Sequence, residues 1–383
     1  MIITSPRVVP ALPGSGVLEP GYVQTDGGRI TGVGQGAPPG VPDLEMGSGL
    51  LAPGLVDLQV NGYFGIEMSA ADPDGWVAVM EGLPATGCTA FQPTFITSPL
   101  GQLAEALRKA RRFSGSLPGQ ATRVLGVHVE GPFLSTAQRG AHNPDWIIPP
   151  TVDAVDELLA AGAGLLRVVT LAPEVDGGLA AVGRFVAAGV LVSVGHSDAT
   201  GAQVAAAAGA GARMVTHLFN GQRQLESREP GVVGQALADP RLTSGMIMDT
   251  YHVAPAAAAV AFAAAPGRIC LVTDAAACAG GPPGEYLLGG EPITLPPGEG
   301  VPPHRPDGGL AGSALRMDRA VANMVDAGAQ VAEAVAAATR VPADLIGRPD
   351  LGRLARGAAA DLVWLDDDLR AAGTWIAGER VYP

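Results

Sequence analysis

Histidines are rare in this chain, and their positions indicate a reactive site. Of the six histidines, His128, His196, His217 and His252 each lie within about three residues of the carboxyl end of a predicted β-strand, where barrel active sites form. His142 follows the third predicted strand, and only the sixth histidine lies elsewhere, in a proline-rich segment. Any one histidine is more often an ordinary core or surface residue. The five together favour a functional site.

Three of these strand ends carry side chains that suit a metal ion. Because side chains alternate along a strand, His128 and Glu130 face the same way, into the predicted barrel. A buried carboxylate such as Glu130 is costly unless it meets a cation. His196 and His217 end the fifth and sixth predicted strands. One glutamate and two histidines form the open zinc site whose fourth position holds water, and that chemistry activates the water and polarises a carbonyl.

Asp274 ends the eighth predicted strand, in the stretch Val272-Thr273-Asp274. A carboxylate there, not needed as a ligand, can take the proton of an attacking water and pass it to a leaving amine. The alternative is a structural role as the N-cap of the following helix.

A repeated β-α pattern positions these residues. Eight apolar, β-branched runs predict strands at Leu55–Val60, Thr89–Pro93, Val124–Glu130, Leu165–Leu171, Val190–Gly195, Met214–His217, Ser244–Asp249 and Ile269–Thr273. Helices are predicted at Leu100–Arg112, Val152–Ala161, Ala180–Ala188, Thr200–Ala208, Ala256–Ala265, Leu315–Ala327 and Val331–Thr339. Such units predict an α/β fold with a parallel sheet, and eight of them fit a (β/α)8 TIM barrel. A doubly wound open sheet is the alternative, but it leaves the polar strand ends unexplained.

The two ends of the chain resemble each other rather than the middle. Short strands separated by Gly and Pro are predicted at Tyr22–Thr25, Arg29–Val33, Leu50–Ala52, Ala360–Leu365 and Thr374–Tyr382. We therefore predict a small β-sandwich domain built from residues 1–53 together with 353–383, and a barrel domain over residues 54–352. The Gly- and Pro-rich segment Gly280–Gly309 is predicted to be a loop.

Composition limits the partners. The formal net charge is −13, which argues against nucleic acid or an anionic membrane, since both require clustered cations. The three cysteines form no CxxC pair, which indicates reduced thiols and a cytoplasmic protein. The first ten residues lack a signal-peptide profile, and the longest apolar run, Ala256–Ala265, is too short to cross a membrane; it predicts a buried helix.

Nine stretches in order along the chain carry a family resemblance. They are Pro53–Gly62, His128–Pro132, Gly140–Pro144, Leu171–Glu174, Gly195–Ala199, Thr216–Asn220, Arg228–Gly231, Leu271–Ala275 and Leu310–Ser313. In them the chain resembles the N-acetylglucosamine-6-phosphate deacetylases of the amidohydrolase superfamily. The resemblance implies hydrolysis of N-acetylglucosamine 6-phosphate to glucosamine 6-phosphate and acetate.

The resemblance also assigns the catalytic centre. It implies that Glu130, His196 and His217 bind the metal, that Asp274 is the general acid and base, and that His142 binds the acetyl carbonyl and stabilises the oxyanion.

The same resemblance assigns the substrate contacts. It implies that His252 and Asn220 contact sugar hydroxyls and phosphate, and that the backbone near Ala141, Gly221 and Leu310 lines the sugar pocket. Arg228 would clamp the phosphate with its planar guanidinium, and in the family this arginine comes from a neighbouring subunit, which implies a homodimer. The alternative for Arg228 is a solvated loop cation.

The sequence predicts one metal per chain. Many superfamily members place His-x-His on the first strand for a second metal, whereas this chain has Asp57-Leu58-Gln59, with Gln59 where the second histidine would be. Other members bridge two metals with a lysine on the fourth strand, and none is present there. The ligand set favours zinc, but iron, cobalt or nickel could occupy the same site.

Three departures from the family pattern leave the sugar open. They are Gly221-Gln222, Thr250-Tyr251 and Tyr63-Phe64, all placed by the resemblance near the sugar or phosphate end of the pocket. N-acetylgalactosamine 6-phosphate or an unphosphorylated N-acyl sugar is therefore an alternative substrate. A non-catalytic sugar-phosphate binding protein is the alternative class, but such relatives usually lose a ligand or the strand-eight aspartate, and neither is lost here.

Overall fold

The computed structural model describes residues 1–117, 119 and 121–383. The strands are β1 Ile2–Ser5, β2 Gly21–Asp26, β3 Arg29–Gln35, β4 Leu44–Glu45, β5 Leu50–Pro53, β6 Leu55–Val60, β7 Gly62–Tyr63, β8 Ile66–Glu67, β9 Cys88–Ile96, β10 Arg123–Val124, β11 Val127–Glu130, β12 Leu166–Leu171, β13 Leu191–Val194, β14 Met214–Val215, β15 Thr243–Ile247, β16 Ile269–Val272, β17 Gly284–Leu288, β18 Glu291–Leu295, β19 Leu362–Leu365, β20 Ala371–Ile376 and β21 Glu379–Tyr382. The α-helices are α1 Pro73–Gly82, α2 Leu100–Phe113, α3 Val152–Ala161, α4 Gly178–Ala187, α5 Gly201–Gly209, α6 Gly231–Ala238, α7 Pro255–Ala264, α8 Met317–Asp326, α9 Val331–Ala337 and α10 Arg340–Leu345.

Eight parallel strands form the predicted barrel. β6 pairs with β9, which pairs with β11, and the order then runs from β12 to β16. The last strand returns to the first and closes the barrel. Two backbone hydrogen bonds join them: the N–H of Asp274 donates to the Gln59 carbonyl at 2.9 Å, and the N–H of Asn61 donates to the Ala275 carbonyl at 2.8 Å. All residues of β6, β9, β11 and β16 are buried, as expected for strands covered by helices on one side and packed inside the barrel on the other.

The helices cover the barrel with one apolar face each. In α2 the buried residues are Leu103, Ala104, Leu107 and Ala110, which share one side of a helix with 3.6 residues per turn. Complete burial of a leucine contributes roughly 1.5–3 kcal/mol. Charged residues occupy the opposite side of α2, so the sequence period alone places this helix on the outside of the barrel.

The third barrel strand is interrupted, which corrects the single predicted strand Val124–Glu130. Gly126 adopts φ +96°, a backbone conformation that suits glycine. The short β10 before it pairs with Ala90 and Phe91 of β9, whereas β11 after it pairs further along, with Thr94 to Ile96.

The termini form two four-stranded sheets, in the orders β3-β2-β1-β4 and β21-β20-β19-β5. Residues from both sheets and from the segment before β19 share one hydrophobic cluster, which includes Ile3, Val23, Leu51, Leu362 and Trp375. The predicted strand Thr374–Tyr382 is wrong, because β20 and β21 form a hairpin. Its turn residues Ala377 and Gly378 have φ +50° and +82°, as a tight hairpin turn requires.

The segment predicted as a loop, Gly280–Gly309, contains a second hairpin formed by β17 and β18. Its turn residues Gly289 and Gly290 have φ +60° and +84°. The Gly-Gly pair between two apolar runs is a hairpin signal that the overall Gly and Pro content concealed. This hairpin matters because it reaches the functional site.

Helix α7 is less buried than its composition predicts. Only Ala258 and Ala261 are buried, and Val260 is 63% exposed, so the expectation of a buried helix over Ala256–Ala265 is wrong. An alanine-rich helix needs only a narrow contact with the barrel, and its other sides face outward. Among the described residues, no helix combines the length and apolarity needed to cross a membrane.

Asp57 is a buried carboxyl inside the barrel and gives a pH-dependent prediction. It accepts hydrogen bonds from the Thr273 hydroxyl at 2.5 Å and from the backbone N–H of Gln59 at 3.2 Å. Burial nevertheless raises its pKa from 3.8 to about 7. Between these two pKa values the folded state binds more protons than the unfolded state. Protonation of Asp57 therefore adds to the free energy of unfolding; this contribution is complete at low pH and is lost as the pH rises through 7.

We therefore expect Asp57→Asn to remove part of the pH dependence of stability. The free energy of unfolding of the wild type, minus that of the variant, should fall by a few kcal/mol between about pH 4 and pH 8. Urea unfolding of both proteins across this range measures the difference. A difference that stays constant with pH would show that Asp57 titrates as an ordinary carboxyl.

Candidate active site

Four polar side chains meet at the carboxyl end of the barrel. Glu130 is the last residue of β11, and His196, His217 and Asp274 each lie two residues beyond the ends of β13, β14 and β16. The last three have positive φ, +46°, +28° and +51°. Such backbone is strained for residues other than glycine and is concentrated at functional sites. In this conformation the chain turns out of the strand and presents the side chain to the barrel mouth.

Glu130, His196 and His217 have the spacing of a metal site. The His217 and His196 Nε2 atoms lie 3.0 and 3.2 Å from Glu130 Oε1, and 3.1 Å from each other. A tetrahedral zinc ion with bonds near 2.0 Å separates its ligand atoms by about 3.3 Å. The three donors therefore already form one face of such a tetrahedron.

The outer ring nitrogens fix the histidine tautomers. His196 Nδ1 lies 2.9 Å from the Gln138 carbonyl and His217 Nδ1 lies 3.1 Å from the Asn220 carbonyl. A carbonyl only accepts, so in each ring Nδ1 carries the proton and, in the neutral ring, Nε2 keeps a lone pair toward the centre. Metal-binding histidines are oriented in this way by their second nitrogen.

The charges at the centre call for a cation. Burial opposes ionisation of Glu130, but hydrogen bonds from His196 and His217 hold its pKa well below the usual value. Burial also disfavours the charged form of His217, yet Glu130 raises the pKa of this imidazole to about 9. A proton on His217 and a metal ion meet the same demand for positive charge beside the carboxylate. The donor set therefore fits the metal that the sequence predicts.

His142 lies at the edge of this group. Its Nε2 is 3.1 Å from His196 Nε2 and its Nδ1 is 2.8 Å from the Thr97 hydroxyl. Glu130, His142 and His196 also satisfy the spacing of a three-donor cluster. However, Glu130, His196 and His217 are all in mutual contact, whereas His142 contacts only His196 among them. His142 is thus placed beside the ligand set, facing the same space.

Asp274 is held by a residue that the sequence reasoning missed. The Asn61 amide nitrogen donates to Asp274 Oδ1 at 2.7 Å, which leaves Oδ2 for other contacts. Burial, and then the charge of Glu130, raise the pKa of Asp274 to about 6. Asn61 lies just beyond β6, two residues after Gln59. The alternation of side chains along this strand could have identified it.

Gln59 contacts the carboxylate directly. Its amide nitrogen lies 3.2 Å from each Glu130 oxygen. Glu130 is therefore held by an uncharged donor on the side of β6. From the sequence, Gln59 was notable only because it stands where a histidine would be. The structure gives it a contact of its own, with the Glu130 carboxylate.

A pocket lies over this centre, and most of the predicted substrate residues line it. Its lining includes Ala141, His142, Asn220, Gly221, His252 and Leu310, together with Asn61, Ile96, Gly140, Ile247, Leu288, Ala311 and Gly312. His252 is fixed from behind, since its Nδ1 lies 2.6 Å from Asp249 Oδ2. Arg228 is exposed in a turn and does not line the pocket of this chain. All other predicted substrate residues are brought together.

Of the three departures from the family pattern, only Gly221 lines the pocket. A Cβ atom at this position would lie 2.8 Å from His196 Nδ1, and φ is +56°, so both space and conformation favour glycine. Tyr63 is buried away from the pocket and donates to the Leu315 carbonyl at 2.8 Å. Tyr251 is exposed. Tyr63 and Tyr251 therefore do not line the pocket themselves, although Asn61 and His252, close to them in sequence, do.

Sequence comparison decides the family. The pattern of the Amidohydrolase family matches residues 50–381. This chain belongs to the amidohydrolase family. Within the family it is 38% identical over 333 residues to an N-acetylgalactosamine-6-phosphate deacetylase of Escherichia coli O157:H7, covering 86% of this chain and 87% of that protein. It is also 38% identical to an N-acetylglucosamine-6-phosphate deacetylase of Bos taurus, covering 88% and 85%.

Solved structures agree with this amidohydrolase assignment. The crystal structure of N-acetyl-D-glucosamine-6-phosphate deacetylase from Mycobacterium smegmatis matches with a TM-score of 0.92 and 35% identity, covering 100% of both chains. The corresponding enzyme from Thermotoga maritima matches with a TM-score of 0.88 and 30% identity, covering 100% of this chain and 99% of that chain. The α/β barrel with terminal sheets and the family resemblance read from the motifs are therefore confirmed.

Proposed function

We propose that this amidohydrolase is a metal-dependent deacetylase that hydrolyses N-acetylglucosamine 6-phosphate to glucosamine 6-phosphate and acetate. One observation carries the proposal: a three-donor metal face, Glu130, His196 and His217, lies in the same pocket as a buried acid, Asp274, and a further imidazole, His142. Relatives that align over most of the chain act on N-acetylated amino-sugar phosphates according to their names. A non-catalytic binding protein would not need the complete set.

We propose one divalent metal per chain, most simply Zn²⁺, held by Glu130, His196 and His217. The bound ion supplies Lewis acidity, which lowers the pKa of water and polarises the amide carbonyl. The Gln59 side chain supports a single ion, because an amide stands where a second metal would need a histidine and it donates to Glu130 instead. Metal analysis of purified protein should give about one ion per chain.

Asp274 moves the proton. Its carboxylate accepts a proton from the attacking water as the oxygen bonds to the acetyl carbon. It then delivers this proton to the sugar nitrogen, so that the C–N bond breaks and the amine leaves neutral. Asn61 holds Oδ1 throughout and directs Oδ2 toward the reaction.

His142 stabilises the developing negative charge on the carbonyl oxygen. The Thr97 hydroxyl carries one hydrogen, which it can donate either to the Glu130 carbonyl or to His142 Nδ1. When it donates to Nδ1, the neutral imidazole carries its proton on Nε2, facing the pocket. This tautomer can donate a hydrogen bond to the oxyanion.

The sugar phosphate is proposed to extend across Asn220, Gly221 and His252, with Ala141 and Leu310 beside the ring. Arg228 is exposed and does not line the pocket of its own chain, so we propose that it reaches the phosphate of a neighbouring subunit in a homodimer. The three cysteines, Cys88, Cys270 and Cys278, are free thiols, which supports a proposed cytoplasmic location.

Arg228→Ala should therefore weaken only phosphorylated substrates. Loss of one charge-assisted phosphate contact costs about 1.5–3 kcal/mol, so kcat/KM for N-acetylglucosamine 6-phosphate should fall about 10- to 100-fold while activity on N-acetylglucosamine stays unchanged. Arg356→Ala, which removes an exposed arginine of the terminal segment, is the matched control. An equal fall in kcat/KM for both sugars would show that Arg228 does not bind the phosphate.

Acetate release tests the function itself. Protein of measured metal content should be assayed side by side on N-acetylglucosamine 6-phosphate, N-acetylgalactosamine 6-phosphate and N-acetylglucosamine. Preference for the first supports the proposal. Preference for the second would favour the other substrate, to which the Escherichia coli relative points. No acetate from any of the three would refute deacetylation of amino sugars.

A further inference from the structure

One side of the pocket is apolar. Ile96, Leu288 and Ala311 line it, and their exposed fractions are 8%, 4% and 1%. The three residues belong to one hydrophobic cluster with Ala276, Cys278, Ile293 and Leu295. Most of this cluster comes from the β17–β18 hairpin and the segments that flank it. We call Ile96, Leu288 and Ala311 the apolar wall.

The apolar wall lies next to the groups that handle the acetyl carbonyl. Ile96 is followed by Thr97, whose hydroxyl lies 2.8 Å from His142 Nδ1. Ala311 is followed by Gly312, where an added Cβ would lie 3.1 Å from the Asp274 carbonyl oxygen and 3.6 Å from Leu288 Cδ2. The polar lining residue Asn220 instead lies beside His217. The apolar wall and Asn220 thus border different parts of the centre, the wall near His142 and Asn220 near His217.

Specific contacts hold the hairpin against the barrel. The Asn143 side-chain amide donates to the Glu291 carboxylate at 2.8 Å, and the backbone N–H of Gly289 donates to the Glu67 carboxylate at 3.2 Å. Arg305 donates to the Gly140 carbonyl. Glu67 lies in β8 and Asn143 in the loop after β11, so two separate segments anchor the turn end of the hairpin. A wall fixed in this way has a defined shape and can exclude a group that is too large.

We propose that the apolar wall is the acyl subsite of the deacetylase and that Leu288 limits the acyl chain to acetyl. This inference rests on the proposed function and names the acyl specificity of the same site. The acetyl methyl packs on the wall while its carbonyl faces His142. A longer acyl chain would have to displace Leu288, which is held in the hydrophobic cluster behind the wall.

Leu288→Ala tests the acyl subsite. The substrates are the N-acetyl, N-propionyl and N-butyryl derivatives of glucosamine 6-phosphate, and the quantity measured is the ratio of kcat/KM for butyryl to that for acetyl. Each added methylene can change discrimination by about tenfold or more, so this ratio should rise at least about tenfold in the variant. Leu287→Ala is the matched control, because Leu287 lies on the same strand but is 54% exposed; its ratio should equal that of the wild type.

Leu288→Phe provides the opposite change, and keeps the test decisive if the alanine variant does not fold. A larger side chain should lower kcat/KM for acetyl more than for N-formyl substrate, raising the formyl-to-acetyl ratio. An unchanged ratio in a folded Leu288 variant, or an equal change in Leu287→Ala, would overturn the proposal. Failure of the wild type on every derivative would instead refute the proposed function.

Discussion

Asp274→Asn is expected to lose turnover while it keeps the fold and the metal. Asparagine preserves the shape of the side chain and can still contact Asn61, but it cannot accept the proton of the attacking water. Loss of a positioned acid and base costs about 10²- to 10⁴-fold in rate, and here one residue serves both steps. We therefore expect kcat to fall at the upper end of this range, measured as acetate release from N-acetylglucosamine 6-phosphate.

Two controls make this result specific. Metal content and melting temperature of Asp274→Asn should match those of the wild type, since the Asp274 side chain lies outside the proposed ligand set. Asp326→Asn changes a carboxylate at the end of α8 and should leave kcat unchanged. A variant that retained a tenth or more of the wild-type kcat would contradict the role of Asp274 as the proton carrier.

His217→Ala is expected to lose the metal. The imidazole contacts both Glu130 and His196, so its removal takes away one of the three donors of the metal face. Metal bound per chain should fall to less than about a tenth at equal free metal. The rise in melting temperature that metal produces in the wild type should also disappear, since a ligand stabilises the folded state according to its affinity.

The matched control is His304→Ala. His304 is the one histidine in the proline-rich segment, and it does not line the pocket. Its variant should keep wild-type metal content, measured by elemental analysis after dialysis against the same metal concentration. Full occupancy in His217→Ala would remove His217 from the ligand set and favour the alternative cluster of Glu130, His142 and His196.

The barrel and the metal face could be predicted from the sequence for a physical reason. Parallel strands covered by helices are apolar throughout, so a charged or imidazole side chain at a strand end is conspicuous. Glu130, His196, His217 and Asp274 were found in this way, and family motifs added His142. Because parallel strands end on the same side of a barrel, their order in the sequence was enough to predict that they meet.

Other parts of the site depend on contacts between segments far apart in sequence. Asn61 is adjacent to Asp274 only because the last barrel strand returns to the first, and Thr97 reaches His142 only across two loops. Leu288 lies in a segment whose Gly and Pro content predicted a loop, although the Gly-Gly turn allows a hairpin that packs on Ile96. These contacts could not be read from local patterns.

The sequence by itself therefore determined which chemical groups are present and at which end of the barrel they lie, because strand period and burial are local properties of the chain. The tertiary structure alone decided which donors lie within 3.2 Å of one another, which nitrogen of each histidine faces the centre, and which apolar residues close the pocket. Those features depend on distances across the barrel, which are set by the packing of all eight strands together.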